Sequence, residues 1–541
     1  MPVSRSSKRS RSSRPARRFR PAAIVESGLV WLALALWSAA TTVWVARQGW
    51  LLYYGDAEAH LNIARRIADS RTPGYEQTGT VWLPLPHWLM LPLVRRDELW
   101  QSGLAGAIPP SVAFVVAGGF FYAALIRAFG SRPAALAGLA ALALNPNLLY
   151  LKSVPMTEGL WLATLAALLY FTVRYRSSPS LANAACAGLA SLAGTLTRYE
   201  GWFLIPFVAA YLVVVGDRRR WRAAILYCVL AAAGPLYWLA HNWWLHGDPL
   251  EFYRGPYSAR AIYQRSLDQG MARYPGDGDW RQAWIQFREA ARLCAGWPLA
   301  AIGTAGAIVA ALRRRLWPLI LAGLPVVFYC MSIYGAGTPI FVPHLWPHSF
   351  YNTRYGLAAL PWLAVGAAGA VVLAPRRWRA LAAVLAVIAS AGWWATQSRP
   401  EAWICWKESQ VNSEARRAWT ARAARALETW RKPGEGVAAC FGDLTGVFRT
   451  AGIPLRAMLH EGNGPAWLAA MARPDLFLRE PWALVITGDS LSAALARLGR
   501  RGPRYDLWET IFVKGGPVIQ IYRRSVGYDP HTVYEGARSG Q

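Results

Sequence analysis

The stretch Tyr53-Tyr-Gly-Asp56-Ala-Glu58-Ala-His60 directly follows the first long apolar segment of the chain, residues 24–46. Two carboxylates and an imidazole therefore lie where a membrane helix has just reached the lipid–water boundary. An ionisable cluster at this boundary is costly to hold and indicates a functional site. The alternative is an ordinary solvated loop, in which Asp56 caps the helix that follows.

The composition is that of a membrane protein. The chain has 541 residues, 54% of them hydrophobic, and its repeated apolar runs of about 20 residues predict transmembrane helices. A net charge of +28 would suit a protein that binds nucleic acid. The arginines, however, are dispersed in short clusters between the apolar runs, as the positive-inside rule predicts. We therefore expect membrane lipids as partners and no nucleic acid.

The arginine clusters also predict the topology. Residues 1–23 contain no acidic residue and are expected to be a disordered cytoplasmic tail that leads into an uncleaved first helix. We predict about 11 spans, near residues 24–46, 103–127, 133–151, 158–173, 181–196, 202–216, 223–241, 295–312, 316–334, 355–373 and 380–395. The arginine clusters that follow spans two, four, six, eight and ten then all lie on the same side of the membrane as the basic N-terminal tail. This places the N-terminus in the cytoplasm and the C-terminus outside.

The predicted fold is mainly α-helical, a polytopic membrane helix bundle with a small C-terminal α/β domain outside the membrane. The bundle covers residues 24–396, with an external loop at 47–102 that carries the acidic motif, and the α/β domain covers 397–541. Within the latter, residues 409–430 are predicted to form an Arg-rich amphipathic helix. The segments Ile511-Phe-Val and Val518–Tyr522, on either side of Lys514-Gly-Gly516, are predicted to form a hairpin.

The cysteines give little information at this stage. Cys186, Cys228 and Cys330 fall within apolar runs, where cysteine behaves as a small hydrophobic residue. Cys405 and Cys440 could form a disulfide if their region faces an oxidising compartment, although the sequence does not establish that they are close. The spacing of cysteine and histidine is not that of a metal site.

The topology gathers polar residues from four separate segments at the external ends of the spans. They are Asp56, Glu58, His60, Glu158, Arg198, Glu200, Asn352 and Arg354. Asp56 is a candidate base, because deprotonation of a hydroxyl requires a carboxylate or an imidazole held near it. Glu158 offers an oxygen ligand for a divalent cation, but it would equally suit the first turn of a helix.

Arg198 and Arg354 lie on the face where positive charge is scarce. Arginine binds phosphate through two parallel hydrogen bonds and is a natural partner for the head of a lipid phosphate. The alternative for Arg198 is a local ion pair with Glu200. The external histidines, among them His87, lie between prolines and tryptophans, and each one taken alone indicates a structural role.

Five short motifs together resemble a known family. They are Gly55-Asp56-Ala-Glu58-Ala-His60, Pro84-Leu-Pro86, Met156-Thr157-Glu158, Thr197-Arg198-Tyr199-Glu200-Gly201 and Asn352-Thr-Arg354-Tyr355-Gly-Leu-Ala-Ala-Leu-Pro361. In their order and facing they resemble the GT-C superfamily of polytopic membrane glycosyltransferases, in the group of protein O-mannosyltransferases and aminoarabinose transferases. The resemblance covers about residues 50–400, and the C-terminal region also looks like that of such enzymes.

The resemblance implies an inverting transfer of a sugar from a polyprenyl-phosphate donor to a glycan, lipid or protein on the extracytoplasmic face of the inner membrane. Asp56 would be the catalytic base, supported by Glu58, and Glu158 would hold the base or a divalent cation, Mg²⁺ or Mn²⁺. The donor phosphate would bind Arg198, Arg354 and Lys152. The residues expected to bind substrate are His60, His87, Glu200, Asn352 and Tyr355.

Two features depart from the family pattern. The Pro84–Pro86 run has no neighbouring Lys or Glu and offers His87 instead, and the Trp-Trp-Asp-Tyr-Gly signature of oligosaccharyltransferases is absent. Two other classes stay open. A transporter or flippase for a lipid-linked substrate would have ionisable residues at mid-membrane depth and internal repeats, neither of which the sequence shows. A non-catalytic envelope assembly protein would tolerate Asp56→Asn.

Overall fold

The computed structural model describes residues 21–397, 399–498 and 504–525, so most of the predicted N-terminal tail lies outside the described residues. The first half of the chain contains α1 (Pro21–Arg47), α2 (Gly55–Ala68), α3 (Leu85–Val94), α4 (Asp97–Ser102), α5 (Leu104–Phe129), α6 (Arg132–Ala143), α7 (Pro146–Leu151), α8 (Glu158–Ser177), α9 (Leu181–Thr195), α10 (Glu200–Val215) and α11 (Arg220–His246).

The second half contains helices and a sheet. The helices are α12 (Glu251–Arg254), α13 (Ala259–Asp268), α14 (Trp280–Ala295), α15 (Trp297–Leu312), α16 (Leu316–Tyr334), α17 (Leu360–Val371), α18 (Arg379–Thr396), α19 (Ile404–Trp430), α20 (Thr445–Thr450), α21 (Pro465–Ala472), α22 (Pro474–Phe477) and α23 (Ser490–Ala496). The strands are β1 (Val437–Ala439), β2 (Met458–Leu459), β3 (Trp482–Ile486), β4 (Tyr505–Ile511) and β5 (Ile519–Arg524). Short 3₁₀ helices, including Thr353–Ala359, connect several of these elements.

Five helical segments among the described residues are long and apolar enough to cross a membrane. They lie in α1, α5, α11 and α16 and at Arg376–Thr396, which contains α18. Helices α14 and α15 meet at 110° and would add a sixth span if they are one broken span. The predicted count of 11 spans is therefore not confirmed.

Most of the missing spans coincide with shorter helices, although α8, at the predicted span 158–173, has 20 residues. Helix α6 has only 12 residues, because Asn145 and Pro146 start a new helix, α7. The side-chain oxygen of Asn145 accepts a hydrogen bond from the amide of Leu148 and caps that helix. Similarly, α17 has 12 residues and follows a 3₁₀ segment. Hydropathy averaged over a window of about 20 residues does not detect such breaks, so each broken segment is predicted as one continuous span.

The arginine-rich turns and the sequence motifs lie at opposite ends of the bundle. Arg313, Arg315 and Arg379 line one cavity of about 400 Å³ together with Phe129 and Val372, which lie at the ends of α5 and α17. At the other end, α8 begins with Glu158. Since α8 has 20 residues, it separates the two ends by about 30 Å.

Small residues let α15 and α17 pack closely. A Cβ atom built on Gly366 would lie 1.9 Å from the carbonyl oxygen of Gly303, and one on Gly306 would lie 1.9 Å from that of Gly366. Such distances leave no room for a side chain, so the two backbones are in direct contact. Helix α17 in turn packs on α6, and its first residues follow the segment that carries Arg354.

The C-terminal sheet has the strand order β2-β1-β3-β5-β4. Strands β1, β2 and β3 are parallel, whereas β5 is antiparallel to both β3 and β4. The predicted hairpin is thus present, with its first strand ending at Ile511. The predicted amphipathic helix is α19, which begins five residues earlier than expected, at Ile404.

The sheet shares its core with the segment that follows α1. Trp419 of α19 and Trp482 of β3 belong to the same buried apolar cluster as Leu61 of α2, Val94 of α3 and Trp100 of α4. The C-terminal region is therefore packed directly against the helix that carries Asp56.

The contact between α15 and α17 predicts a large effect of one methyl group. Gly366→Ala should lower the melting temperature of the detergent-purified protein, because overpacking costs about 1–3 kcal/mol. Gly392→Ala on α18 is the matched control, since its Cβ would meet its nearest neighbour, Ile388, at 3.8 Å. Equal melting temperatures for the two variants would contradict this packing.

Candidate active site

Arg354 lies at the centre of a cluster of carboxylates from three distant parts of the chain. Its guanidinium forms ion pairs with Asp56 at the start of α2, Glu158 at the start of α8 and Glu408 in α19. The nitrogen–oxygen distances to Glu158 and Glu408 are both 3.5 Å. The side chain of Arg354 is only 7% exposed, whereas that of Asp56 is 40% exposed. Asp56 is thus the member of the cluster that solvent or a substrate can reach.

The backbone before Arg354 positions its side chain. Asn352 adopts the left-handed conformation, with φ of 53°, and its side-chain amide donates a hydrogen bond to the carbonyl of Pro339. This turn starts the 3₁₀ helix Thr353–Ala359. The rings of Tyr54 and Tyr355 flank the guanidinium, with centroids 5.0 and 4.9 Å from its carbon. Asn352 therefore has a structural role here rather than a side chain directed into the cluster.

Arg198 forms a second centre that shares Glu158 with Arg354. Its Nε atom lies 2.8 Å from Glu200, and its Nη1 atom lies 3.2 Å from Glu158. The same Nη1 donates to the hydroxyl of Thr157 at 2.6 Å. The local ion pair between Arg198 and Glu200 therefore forms. It does not replace the contact of Arg198 with Glu158, because both are present.

The hydroxyl groups complete this second centre. Arg198 donates a hydrogen bond to Tyr329, and Tyr329 donates one to Glu200. The ring of Tyr329 stacks on Tyr355, with centroids 4.8 Å apart. Oε2 of Glu158 is buried and has no hydrogen-bond partner among the described residues. This oxygen is an acceptor that a bound molecule can satisfy.

The side chain of Asp56 does not cap helix α2, and that of Thr157 does not cap helix α8. Helix α2 begins at Gly55 without a side-chain cap, and the carboxylate of Asp56 pairs with Arg354. The N-cap of α8 is Thr157, whose side chain makes no cap hydrogen bond and accepts from Arg198. The capping alternative for Asp56 is therefore not realised, whereas Glu158 does lie in the first turn of α8.

Glu408 and Tyr329 are members of the cluster that the sequence did not indicate. Glu408 is 2% exposed and accepts hydrogen bonds from the hydroxyl of Thr353 and, at 3.2 Å, from the amide of Arg354. Burial raises the pKa of Glu408, although Arg354 and Thr353 oppose the shift. In the sequence Glu408 is one acid of a polar helix and Tyr329 one aromatic residue of an apolar span, so neither carried a signal.

Glu58 points away from the cluster. Its carboxylate binds Arg449 of α20 at 2.7 and 3.2 Å, and Arg416 of α19 lies 3.8 Å from it. Asn62 also donates to it, at 3.1 Å. Glu58 is therefore a buried link between α2 and the C-terminal region, which is not the position expected of a catalytic group.

Lys152 is also separate from the arginine centres. Its ammonium group is fully buried and donates to the carbonyl of Ser38 at 2.6 Å and to the hydroxyl of Thr42 at 2.7 Å. It thus ties the end of α7 to α1. The predicted contact with a donor phosphate would require these bonds to break.

His60 and His87 form a buried pair beside α2. Nδ1 of His60 lies 2.9 Å from Nε2 of His87, and the ring of Trp82 lies 4.6 Å from that of His60. Burial, with the nearby charges of Arg354 and Arg198, lowers the pKa of His60 to about 3. The imidazole is therefore neutral in the folded protein at neutral pH, and it links α2 to α3 through His87.

A small cavity opens beside the two arginines. It has a volume of about 40 Å³, and its polar lining is Glu158, Arg198, Glu200, Tyr329, Arg354 and Tyr355. The remaining lining is apolar and includes Trp161, Leu162 and Pro361. Leu162 and Pro361 also line a narrow gap that lies among side chains of α5, α8 and α16. The polar cluster thus continues into an apolar seam between helices.

The described residues do not fit a metal site. They contain no group of three or more potential ligands from His, Cys, Asp and Glu. Glu158, the predicted ligand, faces the guanidinium groups of Arg198 and Arg354. Both guanidinium groups contact Oε1 of Glu158, and their positive charge opposes the binding of a cation at this carboxylate.

The fold has counterparts among solved structures. The crystal structure of ArnT from Cupriavidus metallidurans bound to undecaprenyl phosphate matches with a TM-score of 0.56 at 14% identity, over 89% of this chain and 97% of that chain. The apo structure of the same protein matches with a TM-score of 0.54 at 14% identity, over 90% and 97%. No family model and no curated protein matches the sequence. The match shows that this chain has the fold of the ArnT structures, which is the fold that the resemblance implies.

The pKa of His60 predicts an acid-labile fold. In the unfolded chain the imidazole binds a proton below about pH 6.5, but in the folded protein it does so only near pH 3. The unfolded state therefore binds more protons in this window, and the free energy of unfolding should fall by about 1.4 kcal/mol per pH unit as the pH decreases below about 6.5. His60→Gln should reduce the overall slope by about this amount, because the buried His87 and His460, whose pKa values are also lowered, keep their own contributions. His246→Gln, at an exposed position, is the control. Parallel pH profiles for wild type and His60→Gln in chemical denaturation would contradict the assignment.

The link between Glu58 and Arg449 predicts non-additive effects. Glu58→Ala and Arg449→Ala should each lower the melting temperature, and the double variant should lose less than the sum, because residues that share one contact are energetically coupled. Removal of one partner from a buried ion pair costs about 3–5 kcal/mol. Arg473→Ala, which removes an exposed pair with Asp475, is the control and should have little effect. Additive losses for the Glu58 and Arg449 variants would show that the two side chains act independently.

Proposed function

We propose that this protein is an inverting membrane glycosyltransferase that moves a sugar from a polyprenyl-phosphate donor to an acceptor hydroxyl, with Asp56 as the base. The observation that supports it is the Arg354 cluster. A half-exposed carboxylate lies against a buried guanidinium, next to a cavity that is polar at one side and apolar at the other. The substrate it suits has a phosphate, a sugar and a lipid chain.

The two arginines are the proposed phosphate-binding groups. In the present state their charge is taken up by carboxylates, since Arg354 pairs with Asp56 and Glu408, and Arg198 with Glu158 and Glu200. A donor phosphate that binds Arg354 must therefore compete with one of its carboxylates. Asp56 is the most exposed of them, and its release would free it to act as a base. Donor binding and activation of the base would in this way be one event.

The lipid chain of the donor is assigned to the apolar side of the cavity. Trp161, Leu162 and Pro361 form that side, and the seam that starts at Leu162 and Pro361 runs between α5, α8 and α16. The gap is narrow in this structure, so the helices must separate to admit a chain. The ArnT structure of the same fold contains undecaprenyl phosphate, a ligand of the class proposed here.

The chemistry follows from these positions. The acceptor oxygen attacks the anomeric carbon of the sugar, and Asp56 takes its proton. The bond between that carbon and the phosphate oxygen breaks on the opposite face, which inverts the configuration. The polyprenyl phosphate leaves with an added negative charge, which Arg198 and Arg354 stabilise from positions already fixed by their neighbours. No step requires a metal ion.

We propose that this end of the bundle faces the extracytoplasmic space. The arginine-rich end formed by Arg313, Arg315 and Arg379 then faces the cytoplasm, where positive charge is retained. The N-terminus lies on the cytoplasmic side and the C-terminal sheet on the outer side. Flipping of a lipid-linked substrate is the rival activity, and the position of the arginine cluster at one end of α8 rather than in its middle argues against it.

The proposed base gives a direct test. Asp56→Asn should lower the turnover number by about 100-fold or more, because an amide cannot take the proton and a general base contributes about 10²–10⁴-fold. The assay would follow release of polyprenyl phosphate from a panel of polyprenyl-phosphate sugars with envelope extract as acceptor. Glu98→Gln, an exposed acid of the same segment, is the control. Full activity of a folded Asp56→Asn variant would refute the mechanism, and flipping without sugar transfer would refute the proposed activity.

A further inference from the structure

Two buried thiols face each other below the Arg354 cluster. Cys294 lies at the end of α14 and Cys405 at the start of α19, 111 positions later, and their Sγ atoms are 3.9 Å apart. Both side chains are fully buried. The pairing considered from the sequence, Cys405 with Cys440, is not the one that the structure brings close. Cys440 instead lies 3.3 Å from the hydroxyl of Ser490 and packs with a different apolar cluster.

Three side chains hold the backbones that carry the two thiols, and one of them, Asn147, bonds to both. Asn147 donates from Nδ2 to the carbonyl of Cys294 at 3.0 Å and accepts at Oδ1 from the amide of Cys405 at 2.9 Å. Asn145 donates to the same carbonyl of Cys294 at 2.9 Å. The hydroxyl of Tyr54 donates to the carbonyl of Cys405 at 2.7 Å. Four buried hydrogen bonds thus keep the two sulfur atoms opposite each other.

We propose that Cys294 and Cys405 form a disulfide in the mature protein. The inference rests on the proposed orientation, which puts both thiols on the oxidising side of the membrane. The sulfur atoms have to approach from 3.9 Å to about 2 Å. No other thiol competes, since Cys186, Cys228 and Cys330 lie within the apolar helices α9, α11 and α16 and Cys440 lies next to Ser490.

The oxidant required is a protein disulfide of the extracytoplasmic thiol-oxidising machinery. Cys294 and Cys405 lose two protons and two electrons and form one S–S bond, and the oxidant's disulfide becomes two thiols. Because both sulfur atoms are buried in the folded chain, the exchange has to take place before α19 is fully packed. The weak hydrogen bond from the Cys294 thiol to the carbonyl of Thr353, at 3.2 Å, is lost in the process.

The cross-link would hold a partner of Arg354 in place. Glu408 lies one helical turn beyond Cys405 on α19 and accepts hydrogen bonds from Thr353 and from the amide of Arg354. Fixing the start of α19 to the end of α14 therefore fixes Glu408 opposite Arg354. It also closes a long loop, the case in which a disulfide restricts the unfolded chain most.

Thiol mapping of the wild-type protein tests the proposal. Membranes would be denatured in an excess of a maleimide, and the purified chain digested without reduction and analysed by mass spectrometry. We expect a linked peptide pair that contains Cys294 and Cys405, and maleimide on Cys186, Cys228, Cys330 and Cys440. Maleimide on both Cys294 and Cys405, or a link from Cys405 to Cys440, would overturn the proposal. The readout needs no sugar transfer, so a reduced pair in an active enzyme would leave the proposed function intact.

A thermodynamic comparison gives an independent result. If the disulfide exists, Cys294→Ala, Cys405→Ala and the double variant all lack the same cross-link and should lose nearly the same melting temperature. Cys440→Ala is the matched control and should stay close to wild type. If the decrease in melting temperature of the double variant equals the sum of those of the two single variants, the thiols are independent, and this result would contradict the disulfide. Mapping on the wild type decides the matter even if a variant fails to fold.

Discussion

A buried guanidinium that faces three carboxylates is the interaction on which this structure depends. Arg354 is 7% exposed and pairs with Asp56, Glu158 and Glu408. The free-energy cost of burying its charge is therefore offset only while these carboxylates remain in place. Removal of one side of such a pair leaves an uncompensated buried charge, which is strongly destabilising. The start of α2, the start of α8 and the start of α19 are therefore held to one point. Because Asp56 is the most exposed partner, it is also the one that a substrate can replace at least cost.

The fold converts this constraint into a site at one end of a membrane bundle. Glycine contacts such as that of Gly366 with Gly303 let α17 approach α15, and the turn at Asn352 then directs Arg354 towards α8. The C-terminal region supplies Glu408 through α19 and fixes α2 through Arg449 and Glu58. Donor phosphate, sugar and acceptor would thus meet where the apolar seam ends and the C-terminal region begins.

The sequence was sufficient to place Asp56, Glu158, Arg198 and Arg354 at one end of the bundle. The arginine clusters between the apolar segments indicate which helix ends lie on the same side of the membrane. The sequence did not predict that Glu408 is buried against Arg354, since an acidic residue in a polar helix is expected to be solvated. Glu58 shows the opposite case, a residue of the acidic motif that the structure places outside the Arg354 cluster. Its neighbour Asp56 enters the cluster, whereas Glu58, two positions later on a helix, points to another face and meets Arg449. The break at Asn145 also escaped prediction, because a cap is a local hydrogen bond that a window average does not register.

Electron cryo-microscopy of the protein with bound polyprenyl phosphate would test the central claim most directly. We predict phosphate density within hydrogen-bond distance of Arg198 and Arg354, the lipid chain between α5, α8 and α16, and an Asp56 carboxylate that has left Arg354. Phosphate density at the opposite end, among Arg313, Arg315 and Arg379, with the pair between Asp56 and Arg354 intact, would contradict it.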